Sequence, residues 1–289
     1  MPSSTSSSSV QAARRRLADQ LREIRQDAGL TGRRLAELAG WHGVSKVSKI
    51  EHAARPITAA DLRVWCRVCD VPPEREQELL AELRDVAGMW VTYKQLNRGG
   101  LKRAQESVRE EYERARLMRA YQTKVIPGLL QTAAYTTAAL TQVRLEQGVD
   151  VDDVAAAVAE RMDRQGCLRR RDARFLFVLE EDVLWYRPYA DEVHAEQLRH
   201  LLEAMRRPSV SLAIIPRTVH RRGVAPDESF DITDEESVTV ELVSGYLTIT
   251  NPSEIAMYLR AWDRLHALAV VGEPARRLIQ QAREALSNG

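Results

Sequence analysis

Residues 31–51 read Thr31-Gly-Arg-Arg-Leu-Ala-Glu-Leu-Ala-Gly40-Trp-His-Gly-Val-Ser45-Lys-Val-Ser-Lys-Ile-Glu51. In the first half, Leu35, Leu38 and Ala39 are the apolar positions of a short helix, and Gly40 ends it. In the second half Val44, Val47 and Ile50 stand three apart on one helical face, which leaves Ser45, Lys46, Ser48 and Lys49 on the other. Ala36 is small where a second helix must approach the first, and Gly40 lets the chain turn. Two short helices joined by a tight glycine-containing turn make a helix-turn-helix. Pinned from below by Val47 and Ile50, the second helix presents hydroxyl and ammonium groups outward. Those groups hydrogen-bond base edges and neutralise phosphates in a major groove. A small helical bundle that never meets DNA is the competing reading.

Around this stretch the spacing predicts three more helices. Leu17, Leu21, Ile24 and Ala28 recur helically over 14–28 before Gly29. Thr58-Ala-Ala-Asp61 resembles a capping box opening a helix that buries Leu62, Trp65, Cys66 and Cys69. Pro72-Pro73-Glu74 starts a fifth helix with the stripe Leu79, Leu80, Leu83 and Val86. The expected head is thus a mainly α bundle of about five helices over residues 10–87, preceded by a Ser-rich disordered tail, 1–9.

Composition sets the frame. The chain has 289 residues, 44% hydrophobic and 29% charged, which suits about two globular domains rather than a disordered chain. No apolar run reaches membrane-spanning length, and the start MPSSTSSSS has neither the basic nor the apolar region of a secretory signal. Three cysteines make no disulfide framework, so a cytoplasmic setting, nucleoid-associated when on DNA, is expected. The net charge of +1 hides an asymmetry: residues 1–70 hold 12 basic and 7 acidic side chains, and residues 181–289 hold 12 and 17. A basic head on an acidic body fits a polyanion at one end.

Asn97-Arg98-Gly99-Gly100 marks a linker, 88–104. Beyond it, helices are expected over 105–122 and 151–170, and the period then changes. Residues 175–179, 209–215, 236–242 and 245–250 read as strands, with a helix carrying Leu198, Leu201, Leu202 and Met205 between the first two. Asn251-Pro252-Ser253-Glu254 opens another helix, and a last one covers 274–286. Residues 105–289 therefore read as an α+β domain, a small sheet covered by helices. Its segment 125–132, Val-Ile-Pro-Gly-Leu-Leu-Gln-Thr, reads either as a pocket or groove lining or as a helix entry packed into the core.

No P-loop, GxGxxG, GxSxG or HExxH stands in the sequence, so the reading is non-enzymatic, with no cofactor and no metal. Cys66 and Cys69 have CxxC spacing but no second pair, and fit buried thiols. His194 and His200 lie six apart, on different helical faces, and are expected at the surface. Arg221 and Arg222, in a loop of about a dozen residues, are candidate partner or effector contacts.

Residues 31–51 resemble the helix-turn-helix of Xre/lambda-repressor-like regulators, whose pattern ends V-S-x-I-E as Val47-Ser48-Lys49-Ile50-Glu51 does. The rest resembles the actinobacterial WhiJ-like group, through Glu110-Glu-Tyr-Glu113, Ile126-Pro-Gly-Leu-Leu-Gln-Thr132 with Tyr135, Arg161 with Arg164-Gln165, Gln197-Leu-Arg199, and Tyr258-Leu-Arg-Ala-Trp-Asp-Arg-Leu265. The likeness runs from about residue 14 to 286. It implies that Ser45, Lys46, Ser48 and Lys49 face a double-stranded operator, with Arg33, Arg34 and Arg55 on its backbone. It also implies a regulator, probing DNA as a homodimer, whose second domain receives an effector or a small acidic partner protein and stands on no membrane. An antitoxin-like protein that masks such a partner, with DNA binding only autoregulatory, is the alternative. Two departures stand out: Gly32 replaces a phosphate-touching Gln, a task left to Arg33 or Arg34, and the turn Gly40-Trp-His-Gly-Val44 is one residue longer.

Overall fold

A computed structural model describes residues 5–287, divided into two units, 1–91 and 92–289. Residues 1–4 of the expected tail lie outside the described residues. The first unit is built from helices α1 (Thr5–Asp27), α2 (Gly32–Leu38), α3 (Ser45–Glu51), α4 (Ala59–Val68) and α5 (Pro73–Gly88). Residues 5–9, expected as tail, form the first turns of α1, because extending a nucleated helix adds a hydrogen bond for each residue fixed. Each helix faces one core of Leu17, Leu21, Leu35, Ala36, Val47, Ile50, Ile57, Leu62, Trp65, Cys66 and Leu79. Trp65 is fully buried, and its Nε1 donates to the Leu21 carbonyl at 3.2 Å, so the indole brings no unmet polar group into that core. Leu38, in contrast, stays exposed at the end of α2.

The second unit is α+β. After β1 (Trp90–Thr92), which straddles the boundary at 91/92, come α6 (Tyr93–Leu96), α7 (Leu101–Glu106), α8 (Arg109–Arg114), β2 (Leu117–Gln122), α9 (Ala133–Gln147), α10 (Val154–Arg164) and β3 (Arg174–Glu180). There follow α11 (Asp182–Trp185), α12 (Asp191–Ala204), β4 (Val210–Ile215), β5 (Phe230–Thr233), β6 (Ser237–Leu242), β7 (Gly245–Ile249), α13 (Pro252–His266) and α14 (Glu273–Ser287). The sheet has seven strands in the order β1-β7-β6-β5-β2-β3-β4. Strands β2, β3 and β4 are parallel, whereas β2, β5, β6 and β7 pair antiparallel. Parallel neighbours need crossovers, and α9 with α10, then α11 with α12, supply them.

Several elements differ from the sequence reading. The single helix expected over 105–122 is instead the end of α7, α8 and strand β2. Strand β2 lies between β3 and β5, and pairing on both edges with Met118, Ala120 and Tyr121 buried overrides a helix-compatible composition. Residues 88–104 carry β1, α6, a 3-10 turn at Asn97–Gly99 and the start of α7. Helix α10 spans only part of 151–170, and a 3-10 turn, Gln165–Arg169, closes it. His194, expected at the surface, is buried with Nε2 2.9 Å from the Leu184 carbonyl, because it extends the buried stripe of Leu198 and Leu201 back by one turn.

Register fixes what each sheet face presents, since paired residues share a face. On one face Arg119, Tyr121, Phe230, Ile232, Val238, Val240, Leu247 and Ile249 lie beneath α13, with its buried Ile255, Trp262 and Leu265. The opposite face is divided. Under α12 and α14 it is apolar, with Phe175, Phe177, Leu179, Val210, Leu212 and Ile214. Across β5, β6 and β7 it carries Asp231, Thr233, Thr239, Glu241 and Tyr246.

Leu35 is fully buried at the centre of the first unit. Leu35→Ala is expected to lower its stability by about 2–5 kcal/mol in denaturant unfolding followed by tryptophan fluorescence. A loss below about 1 kcal/mol would contradict the packing described.

Candidate nucleic-acid interface

The turn between α2 and α3 depends on backbone freedom. Gly40 (φ +68°) and Gly43 (φ +86°) occupy the left-handed region as the chain reverses. Gly32 has a steric role instead. A Cβ there would stand 3.3 Å from Val44 Cγ2 and 3.5 Å from Val47 Cγ1, so the missing side chain lets the first turn of α2 lie against α3. The departure from the Xre-like pattern at this position is thereby matched by close packing. Thr31 caps α2, its Oγ1 accepting from Arg34 N at 3.2 Å.

Helix α3 is held from two sides. Val47 and Ile50 are buried in the core. At its C-terminus Glu51, 8% exposed, takes a two-pronged contact from Arg25 of α1, Nε to Oε1 at 2.5 Å and Nη2 to Oε2 at 3.2 Å. Arg25 Nη1 also donates to the Leu30 carbonyl at 2.6 Å, and Arg22 Nη2 donates to the Glu51 carbonyl at 2.8 Å. Both cations thus sit at the negative end of the α3 dipole.

What remains outward is a continuous edge of Val44, Ser45, Ser48, Lys49 and His52, all exposed and spaced by one and four residues. Ser45, Ser48 and Lys49 lie where the sequence places them. Lys46 does not: its Nζ is 2.6 Å from Asp61 Oδ1 and 4.2 Å from the centre of the Trp41 ring, so it ties α3 to α4. The same carboxylate is therefore turned away from the reciprocal half of the Thr58 cap, of which only the Thr58 Oγ1 to Asp61 N bond, 3.1 Å, is made. Neither Val44 nor His52 is expected on this edge from the sequence. Val44 precedes the helix, and helical spacing from Val47 and Ile50 placed it inside, yet it is 46% exposed.

Arg33 and Arg34 are exposed on the first turn of α2; Arg34 pairs only with exposed Glu37 at 3.2 Å, a contact weak enough to exchange for phosphate. Arg55 is exposed just beyond α3, its backbone N donating to the Lys49 carbonyl at 3.1 Å. In the second unit Arg221 is anchored inward: Nη1 and Nη2 reach Glu180 at 2.8 and 2.9 Å, and Nε donates to the Val224 carbonyl. The Tyr121 hydroxyl completes that cluster at 2.6 Å from Glu180. Arg222 beside it is exposed. Burial pushes the Cys66 and Cys69 thiols up to about 11, opposite to what a thiolate metal ligand requires.

Two consequences can be measured. Glu51→Ala leaves Arg25 in a largely closed site and is expected to destabilise the first unit by about 3 kcal/mol in denaturant unfolding. Lys46→Ala should be measurably destabilising where Lys49→Ala is neutral within about 0.5 kcal/mol; equal effects would contradict the inward placement of Lys46.

A domain family described as a helix-turn-helix domain matches residues 16–80, and one described as a domain of unknown function, DUF5753, matches residues 104–281. No curated protein matches the chain. Among solved structures, the archaeal chromatin protein TrmBL2, whose description reports a novel mode of DNA binding, is similar at 12% identity with a TM-score of 0.28. That alignment covers 88% of this chain and 100% of the other, and at such a score it carries no argument. No helix among the described residues is long and apolar enough to cross a membrane. The chain belongs to the DUF5753 family and carries an N-terminal helix-turn-helix domain.

Proposed function

We propose that this chain is a sequence-specific DNA-binding transcriptional regulator of the Xre type and of the WhiJ-like group. In this reading α3 enters the major groove of an operator, and the second unit receives an effector or a small partner protein. One observation carries it: a short helix, clamped by Glu51 and Arg25 and seated on Val47 and Ile50, leaves an exposed edge of two hydroxyls, an ammonium, an imidazole and a methyl-bearing residue. Ser45 at the head of α3 meets a phosphate, Ser48 and Lys49 reach base edges, and Val44 is placed for a thymine methyl group. Arg33, Arg34 and Arg55 flank that edge on the backbone side. Lys46 supports α3 through Asp61 and Trp41 rather than by reaching out.

One such helix covers few base pairs. A homodimer that reads half-sites one turn, ~34 Å, apart completes the proposal.

The test is operator selection from genomic DNA followed by fluorescence anisotropy. Lys49→Ala is expected to weaken specific binding about tenfold or more, with an unchanged thermal midpoint. Affinity should fall with salt at a log–log slope of about −0.9 per phosphate neutralised. Retention of the same footprint by Lys49→Ala, together with a flat salt response, would overturn the assignment.

A further inference from the structure

The entry end of the parallel strands carries a charge imbalance that the fold does not use. Strands β3 and β4 run side by side with Phe175 beside Val210, so the stretches 165–174 and 205–209 that lead into them are neighbours. They are bonded together: Phe175 N donates to the Ser209 carbonyl at 2.8 Å, and Ser209 Oγ donates to the Leu168 carbonyl. On the other side of β3, Arg174 N donates to the Arg116 carbonyl at 2.7 Å, where the chain enters β2. The two stretches hold Arg169, Arg170, Arg171, Arg174, Arg206 and Arg207 against one acid, Asp172, and no lysine. Adjacent strands lie about 4.8 Å apart, so the backbone positions of all six share one end of the sheet.

Two of the six have work inside the unit. Arg170 is half-buried, takes both oxygens of Asp172 at 3.1 and 2.7 Å, and donates to the Ala115 carbonyl at 2.9 Å, which ties the entry of β3 to that of β2. Arg174 turns back on its own stretch, Nη1 donating to the Arg171 and Ala173 carbonyls at 3.2 and 3.0 Å. Arg169, Arg171 and Arg206 are exposed, and among the described residues their side chains make no hydrogen bond and no ion pair. The half-buried Arg207 has no carboxylate partner either.

Acids at the same end are engaged elsewhere. Glu203 pairs with Arg199 at 2.6 Å, Asp234 accepts from the backbone N of Arg116 and of Leu117 at 2.9 and 2.7 Å, and Glu235 pairs with Arg119 at 2.7 Å. Glu236 is exposed, but it stands beyond β2 and β5. Like charges gathered without counter-ions oppose the compact state and attract an anion from outside.

The exposed surface fixes the class of that anion. Apart from the arginines, only Asp172 and Pro208 are exposed in the two stretches, whereas a protein interface has an apolar, aromatic-rich centre. The unpaired cations stand on separate turns, which suits repeated charge rather than one small anion. All are guanidinium groups, whose planar forks match phosphate oxygens in two-pronged contacts.

We propose that this arginine-rich end of the second unit binds the phosphate backbone of duplex DNA, with Arg169, Arg171 and Arg206 each on a phosphate. The contact reads no base. It is a second DNA-binding surface beside the one proposed on α3: it supplies affinity, while α3 supplies the choice of sequence.

The experiment is fluorescence anisotropy of the full chain with a random-sequence duplex and with the selected operator, each over a salt series. The triple variant Arg169→Ala, Arg171→Ala, Arg206→Ala is expected to weaken both duplexes by the same factor, about tenfold or more, and to reduce the log–log salt slope by about 2.7, the value for three phosphates. Its thermal midpoint should not fall, because the three side chains are exposed. Arg187→Ala, Arg260→Ala, Arg264→Ala, three exposed arginines elsewhere in the second unit, removes the same charge and should change the slope by less than about 1. Poly-L-glutamate, which stands for an acidic protein partner, should bind more weakly than the random duplex.

The proposal is overturned if the wild type does not bind the random duplex, if the triple variant keeps the wild-type slope, or if the control triple loses as much. It is also overturned if poly-L-glutamate binds more tightly than the duplex and depends on the same three arginines. Lys49→Ala alters only the preference for operator over random duplex, so failure of the α3 assignment and failure here are read separately.

Discussion

The bidentate contact between Arg25 and Glu51 is the interaction on which the candidate interface depends. A seven-residue helix such as α3 has too few hydrogen bonds to persist alone in water. Its conformation comes from tertiary anchoring: Val47 and Ile50 in the core, and Glu51 on a guanidinium that also satisfies the Leu30 carbonyl at the end of α1. Because all three anchors lie on one side, the opposite edge is left exposed. The carboxylate that fixes the helix also pairs the charge of Arg25, whereas Lys49, Arg33, Arg34 and Arg55 remain exposed.

How much of this was legible in the sequence depends on the range of the interaction concerned. The number of helices in the first unit, Thr58 as a cap, and the burial of Val47, Ile50, Leu62 and Trp65 follow from spacing and local hydrogen bonding, and the structure carries them. Lys46 was misplaced because its partner, Asp61, lies on another helix fifteen residues on, and looks locally like part of a capping box. The ion pair of Arg221 is invisible in the sequence for the same reason, since Glu180 is 41 residues away. Strand β2 is hidden because its six residues, Leu-Met-Arg-Ala-Tyr-Gln, have a helix-compatible composition, and only pairing with β3 and β5 makes them a strand. In the α+β unit, the strands of 175–179, 209–215, 236–242 and 245–250 were visible from their alternation or apolar runs. The polar sheet face was not visible, because it needs the register of three antiparallel strands.

The two units use ionisable groups in opposite ways. Around α3 the partly buried charges are matched, Arg25 with Glu51 and Lys46 with Asp61, and they fix geometry. In the second unit Glu180 with Arg221 is a matched pair of that kind. Arg169, Arg171 and Arg206 are not, and like charges gathered without counter-ions lower stability. Charges that oppose the fold in this way are available to a partner.

The most direct measurement of the central claim is amide chemical-shift mapping of the chain titrated with a selected operator duplex. The account predicts that the largest changes fall on residues 44–52 and 31–34, with Lys46 shifting less than Ser45, Ser48 and Lys49. Changes concentrated on α4 or α5 with α3 unaltered would contradict it.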